Sequence, residues 1–229
     1  MTVLGFSGYA KSGKTAAAEY LVNKYGYERK HIAEPLRGML AVLLTANGMS
    51  SEMITRYLTG DLKEEMIPEI GATSRHCQIT LGTEWGREEI NPDLWANTWG
   101  IDVDPGDRTM NDSVRFPNEE GVIQGPLEGV TVMIERPGTG PIKFNSWLGE
   151  KLYRWFGCMW GVHASERIDR LTPTYTIKND GTLEDLYDEL DWVMDNIDLI
   201  RSVKMDRLDK ETESDALFAF GAAATIGMR

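Results

Sequence analysis

Cysteine is scarce in this chain. There are two in 229 residues, Cys77 and Cys158, far apart in sequence. That argues against a disulfide framework and suits a reducing compartment. Positive charge is also short: 24 Lys and Arg stand against 36 Asp and Glu, a net charge of −12. Such a chain is a poor candidate for non-specific binding to nucleic acid or to an anionic membrane. It can still take an anionic small molecule if its basic residues are gathered in one cleft. No apolar run approaches membrane-spanning length. Met1 to Phe6 has neither the charged segment nor the long apolar core of a signal peptide, and there is no internal repeat.

What is present suits a folded α/β protein. Hydrophobic residues make up 41% of the chain, a normal share for a packed core. Val3, Leu4, Phe6 and Ser7 read as a short buried strand ending at Gly8. Gly13 to Tyr25 reads as a helix with Ala17, Ala18, Leu21, Val22 and Tyr25 on one face. A second strand is predicted around His31–Ala33, then a helix with Pro35 in its first turn running to about Ala46. Met49–Leu58 reads as helix and 60–71 as a charged loop. Arg75–Ile90 reads as a helix despite Gly82 and Gly86, stopped by Asn91-Pro92-Asp93. Strands are predicted at Thr109–Phe116, Gly129–Glu135 and Thr174–Lys178. Thr182, with Asp185 three residues on, caps a last helix bearing Leu186, Leu190, Val193 and Ile197 on one face. This alternation implies a mostly parallel sheet wrapped by helices on both faces, with a ligand site at the carboxyl ends of the strands.

The strongest local signal is Gly8-Tyr9-Ala10-Lys11-Ser12-Gly13-Lys14-Thr15, a full match to G-x-x-x-x-G-K-[ST] between an apolar strand and an amphipathic helix. Its chemistry is backbone shape. Glycines let successive N–H groups turn inward around phosphate oxygens, and the helix start adds its positive end. Gly8, Lys11, Ser12, Gly13, Lys14 and Thr15 are therefore the predicted ATP-binding residues. Lys14 neutralises the β- and γ-phosphates, and the Thr15 hydroxyl is a ligand for Mg²⁺. The guanine-reading N-K-x-D segment of GTPases is missing: Asn179-Asp180-Gly181 lacks its Lys.

Phosphoryl transfer between nucleotides gathers many negative charges and needs cations beyond this loop. Arg37, Arg75, Arg87, Arg115, Arg136 and Arg167 stand near predicted strand ends or helix starts, although a lone Arg is more often simply solvated. His163-Ala164-Ser165-Glu166 has no nearby partner at zinc-ligand spacing, so zinc is rejected. The aromatic residues between Arg136 and Val162 read as a lid or insertion, either a small packed cluster or a base-contacting surface.

Taken together, these pieces resemble the phage-type deoxynucleoside monophosphate kinases. The matching segments run in order from the phosphate loop through Glu34-Pro35-Leu36-Arg37, Arg75, Leu81-Gly82-Thr83-Glu84-Trp85-Gly86-Arg87, Asp93-Leu94-Trp95, Val114-Arg115-Phe116-Pro117-Asn118-Glu119, Arg136-Pro137, and His163-Ala164-Ser165-Glu166, to Asn179-Asp180-Gly181. The resemblance implies a P-loop kinase-type fold and transfer of the ATP γ-phosphate to a deoxynucleoside monophosphate. It implies that Arg75 and Arg115, assisted by Arg37, hold the acceptor. Arg87, Trp95, Glu119 and Glu166 join the substrate-binding set, and Arg136 acts with Lys14 near the transferring group or at the lid hinge. It also makes a homodimer plausible and a cytoplasmic location expected, that of a host cell if the chain is phage-encoded. The chain departs from the pattern at Ser113, where the family carries Asp directly before Val-Arg-Phe; here Asp112 lies one residue earlier. His76 stands where a second Arg is common. The expected layout is one P-loop kinase-like domain over 1–200 with a lid or insertion at about 137–162, and a tail over 201–229. Two other readings stay open: a P-loop kinase for a different small acceptor, and a nucleotide-binding accessory protein without turnover.

Overall fold

The computed structural model describes residues 2–203. The tail's apolar stretch, 218–226, lies outside the described residues.

Five strands form one all-parallel sheet: β1 (Leu4–Ser7), β2 (Glu28–Arg29), β5 (Thr109–Asn111), β6 (Val130–Glu135) and β7 (Tyr175–Lys178). Their spatial order is β2-β5-β1-β6-β7. A two-stranded antiparallel ribbon, β3 (Met66–Ile67) with β4 (Ala72–Thr73), stands apart from this sheet; β3 falls within the stretch 60–71 expected as a charged loop and β4 just past it. The helices are α1 (Lys14–Tyr25), α2 (Glu34–Ala46), α3 (Ser51–Leu58), α4 (Ser74–Thr80), α5 (Leu94–Ile101), α6 (Pro117–Gln124), α7 (Trp147–Phe156) and α8 (Leu183–Asp195).

Both faces of the sheet are covered, and this explains the composition of β6. Its odd and even residues enter different cores. Val130, Val132 and Ile134 pack with Leu4, Phe6, Ala17, Leu21, Leu186 and Leu190 under α1 and α8. Met133 packs on the other side with Trp95, Val114 and Ile123. A strand buried on both faces reads as nearly continuous apolar sequence. Each such side chain contributes roughly 1.5–3 kcal/mol by leaving water. A third cluster joins α2, α3 and the ribbon through Leu40, Leu44, Ile54, Leu58 and Ile67.

Three expectations shift. The second strand falls at Glu28–Arg29, not His31–Ala33. Residues 31–33 are used in the turn entering α2: Glu34 N donates to His31 O and His31 N donates to Glu34 Oε1, both at 2.9 Å. The strand expected to reach Phe116 stops at Asn111. There the Asn111 side-chain carbonyl accepts from Ser113 N at 3.1 Å and from Ser113 Oγ at 3.0 Å, a local bond that competes with sheet pairing. The helix expected over Arg75–Ile90 is α4 followed by a π-helical segment, Leu81–Ile90. Gly86 lies so close to the Trp95 indole that a Cβ would meet it at 2.4 Å. π-Helical turns of this kind recur at functional sites.

The carboxyl end of β1 lies between β5 and β6, where the strand order reverses. The phosphate loop leaves the sheet at that point. Among the described residues, no helix is long and apolar enough to cross a membrane.

Candidate active site

The loop between β1 and α1 is a compact turn. Ser12 N donates to Tyr9 O at 3.2 Å. Gly8, Lys11 and Gly13 adopt φ of 142°, 66° and 110°. A Cβ on Gly8 would meet Ile134 O at 2.4 Å, so glycine is required there by backbone angle and by space. Lys14 folds back over the loop, its Nζ donating to Gly8 O at 2.8 Å and Tyr9 O at 2.7 Å. Burial lowers the Lys14 pKa to about 8; Arg115 adds to the shift, and Asp112 and Glu166 oppose it. Thr15 is exposed in the first turn of α1. Ser12 is fully buried, and its carbonyl accepts from Asn179 Nδ2 at 2.8 Å. Asn179 follows β7 and clamps the loop from behind, a role that sequence reading missed. Its signal was its place in the Asn-Asp-Gly segment just past the last strand.

Two neighbouring cavities share His31, Ala33, Leu36, Gln78 and Ile79 in their walls. One, of about 210 Å³, brings together Arg37, Lys63 and Arg75. The other, of about 170 Å³, is lined by Arg87, Trp95, Arg115, Glu119, Lys143 and Ser165 among others. The cations depress one another. Burial first, then Arg37 and Arg75, lower Lys63. Burial, then Arg115 and Arg75, lower Lys143. His31 is lowered to about 4, by burial and then by Arg37, with Asp112 opposing, so its imidazole is neutral at neutral pH. A cleft rich in like charge on an acidic chain favours a polyanion.

Within this cleft the predicted residues divide by what they touch. Arg115 Nη1 donates to Ser165 O and Glu166 Oε1, each at 3.2 Å. Arg75 Nε pairs with Glu64 at 2.7 Å, and Arg37 Nε reaches Gln78 Oε1 at 3.4 Å. All three arginines retain donors for a ligand. Glu119 is different. It is 2% exposed, takes Arg87 Nη2 at 2.6 Å on one oxygen, and accepts from the backbone N of Arg115 (2.8 Å) and Phe116 (3.3 Å) on the other. Burial raises its pKa, and Arg87 opposes the rise. Arg87 Nη1 and Trp95 Nε1 both donate to Gly82 O, at 2.9 and 2.8 Å. These three hold the wall in shape with polar atoms largely spent on protein. Glu166, 4% exposed, joins Arg115 to the backbone N of Ile142 at 3.3 Å.

Arg136 lies elsewhere. It lines a larger cavity of about 720 Å³ with Tyr9, Pro137, Asp169, Lys178 and Asp180 beyond the ends of β6 and β7. Burial, with smaller contributions from nearby charges, raises Tyr9 to about 12, which keeps its phenol protonated.

A carboxylate does stand at the end of β5. Asp112 is 5% exposed, pairs with Arg29 through Oδ2, and leaves Oδ1 buried without a hydrogen-bond partner. Ser113 in the family's Asp position therefore shifts the carboxylate by one residue without removing it. Thr15 and Asp112 are both hard oxygen donors, and Asp112 is near enough to act on the Lys14 charge. Magnesium binds through one or two such groups plus substrate phosphates, so the residues present fit it. Among the described residues, no group of three or more His, Cys, Asp or Glu side chains could hold a metal ion.

The five-stranded parallel sheet with flanking helices, and the turn at the end of β1, are consistent with a P-loop kinase-type fold. A protein of Acanthamoeba polyphaga mimivirus, named "Putative deoxynucleotide monophosphate kinase", is 29% identical over 212 residues, covering 86% of this chain and 97% of that one. No family model matches the chain. The likeness supports a kinase, and hence a phosphotransferase.

Proposed function

We propose that the chain transfers the γ-phosphate of ATP to a deoxynucleoside 5′-monophosphate, giving ADP and the diphosphate. The observation that carries this reading is the cation-lined cleft of Arg37, Lys63, Arg75, Arg115 and Lys143 on an acidic chain, with Arg115 acting on the loop lysine Lys14. The mimivirus relative's name supports the same nucleotide kinase role.

In this reading Gly8, Lys11, Ser12, Gly13, Lys14 and Thr15 hold the ATP phosphates. The 720 Å³ cavity beside Tyr9 and Arg136 takes the remainder of the donor. Lys14 leaves the loop carbonyls of Gly8 and Tyr9 for phosphate oxygens, whose charge raises its pKa back toward the ordinary value. Arg75, Arg115 and Arg37 hold the acceptor phosphate. Arg87, Trp95 and Glu119 shape the wall behind it. An acceptor phosphate oxygen attacks the γ-phosphorus in line, the bond to the β-phosphate oxygen breaks, and ADP leaves. That oxygen is already anionic at neutral pH, so positioning and electrostatics carry the rate and no strong base is required. Mg²⁺, bound with ATP, would neutralise phosphate charge, with Thr15 as a direct ligand and Asp112 supporting it.

A coupled ADP-release assay across all deoxynucleoside monophosphates, modified pyrimidines included, tests the proposal. Turnover with one or more of them is expected. ATP binding without transfer to any would move the chain to the accessory-protein reading.

A further inference from the structure

The segment after β6 returns to the cleft at Lys143. Its backbone is held there by a short antiparallel ribbon. His163 N donates to Lys143 O at 3.0 Å, Phe144 bridges Val162, and Asn145 N donates to Gly161 O at 2.7 Å. One residue earlier, Ile142 N donates to Glu166 Oε2, while Glu166 Oε1 takes Arg115. The backbone just before Lys143 and the Arg115 guanidinium thus share one buried carboxylate, and Lys143 and Arg115 line one cavity. Glu166 has already engaged both oxygens, and Glu64 is paired with Arg75. Among the described residues, no carboxylate pairs with the Lys143 ammonium.

We propose that Lys143 is a ligand of the acceptor phosphate, contributed by the segment after β6 and acting beside Arg75 and Arg115. This rests on the kinase reading above and adds a residue that no motif marked. It also assigns the two cations of that segment differently: Lys143 faces the acceptor, and Arg136 lines the donor-side cavity. The half-buried ammonium, crowded by two arginines, is held in a state that an incoming dianion relieves.

The test uses the full chain as wild type, Lys143→Met and Lys143→Arg, with ADP release measured while acceptor and ATP are varied separately. Met keeps the aliphatic stem and removes the charge. Its acceptor KM should rise roughly 10- to 100-fold, the range for losing one charged hydrogen bond, with the ATP KM within about twofold and most of the loss recovered by Arg. A wild-type acceptor KM in Lys143→Met would overturn the inference and leave the kinase reading standing. Equal failure of Met and Arg, with lowered melting temperatures, would also overturn it, as a structural role. If the wild type turns over no monophosphate, the kinase reading fails, and a second arm decides the fate of Lys143. Inorganic phosphate is titrated calorimetrically into Lys14→Ala and Lys14→Ala/Lys143→Met chains, in which the loop lysine is already removed. Weaker binding by the double variant supports the assignment, and equal binding ends it.

Discussion

The phosphate loop and the cationic cleft are near enough for Arg115 to act on Lys14, yet they are built in opposite ways. The loop is eight consecutive residues whose main chain supplies the site: three positive φ angles, a lysine bonded to the loop's own carbonyls, and one outside clamp from Asn179. The cleft is assembled from side chains on α2, the loop after α3, α4, the segment after β5, and the segment after β6. The loop's shape is largely a local property, with Asn179 as its distant support. The cleft depends on the packing of Ile32, Leu36 and Trp95 and on two buried carboxylates, Glu119 and Glu166, that place arginines without facing outward themselves. A substitution in the loop should remove function cleanly, whereas a substitution in the cleft should divide its effect between acceptor binding and local structure.

Lys14→Ala is the sharpest way to break that contrast. Turnover should fall by about 10³-fold, as when one donor to a transition-state charge is removed, while the melting temperature holds. Near-normal turnover would exclude the proposed role of the loop lysine. Arg115→Ala should come next. It should lower kcat/KM for the acceptor by roughly 100-fold through loss of a charge-assisted contact, with the ATP KM little changed. A matched rise in both KM values would mean that the two halves are not separate sites.

Lysines in both halves have lowered pKa values, and the loop lysine gives the sharper pH test. Lys14 has its pKa lowered to about 8 from the ordinary 10.5. ATP binding wants it protonated, so ATP affinity should fall as pH rises through about 8. The polyphosphate raises the lysine's pKa once bound, so kcat at saturating ATP should persist to higher pH. The stability sign is the reverse. Between about 8 and 10.5 the unfolded chain holds this proton and the folded chain does not, so the unliganded protein should gain stability as pH rises across that window. Calorimetric ATP titrations and thermal melts from pH 7 to 10 check both directions.

The smaller effects concern support. Asn179→Ala removes the 2.8 Å bond to Ser12 O and leaves that buried carbonyl without the Asn179 donor. It should cost about 1–3 kcal/mol in denaturant melts and weaken ATP binding more than acceptor binding. Thr182→Ala removes the N-cap of α8, whose Oγ1 accepts from Asp185 N at 3.2 Å. It should cost about 1 kcal/mol with no change in either KM, setting the baseline for a purely structural change.

Legibility in the sequence followed the same division. The loop, α1, α2 and the cap of α8 were readable because glycine spacing, a proline in the first turn and a Thr-x-x-Asp pattern are local and have local consequences. The ends of β2 and β5 were not. At β5 the Asn111 side chain captures Ser113 N–H and ends the pairing that residue types alone suggested. The π-helical turn at Leu81–Ile90 was equally hidden, because the Gly86–Trp95 approach that accompanies it joins two separate helical segments. Glu119 was marked by its motif as substrate-binding, and only its contacts reveal that its oxygens are committed to Arg87 and to the backbone N–H groups of Arg115 and Phe116 just before α6.

The sequence by itself pointed to a mostly parallel sheet wrapped by helices and to the position of the phosphate loop, because periodicity and backbone chemistry act over a few residues. Tertiary structure alone decided which cations share a cleft, that Asp112 supplies the carboxylate at the end of β5, and that Lys143 and Arg136 line different cavities. Electrostatic partnership depends on distance in space, and the fold brings residues as far apart in number as Arg87 and Lys143 to line one small cavity.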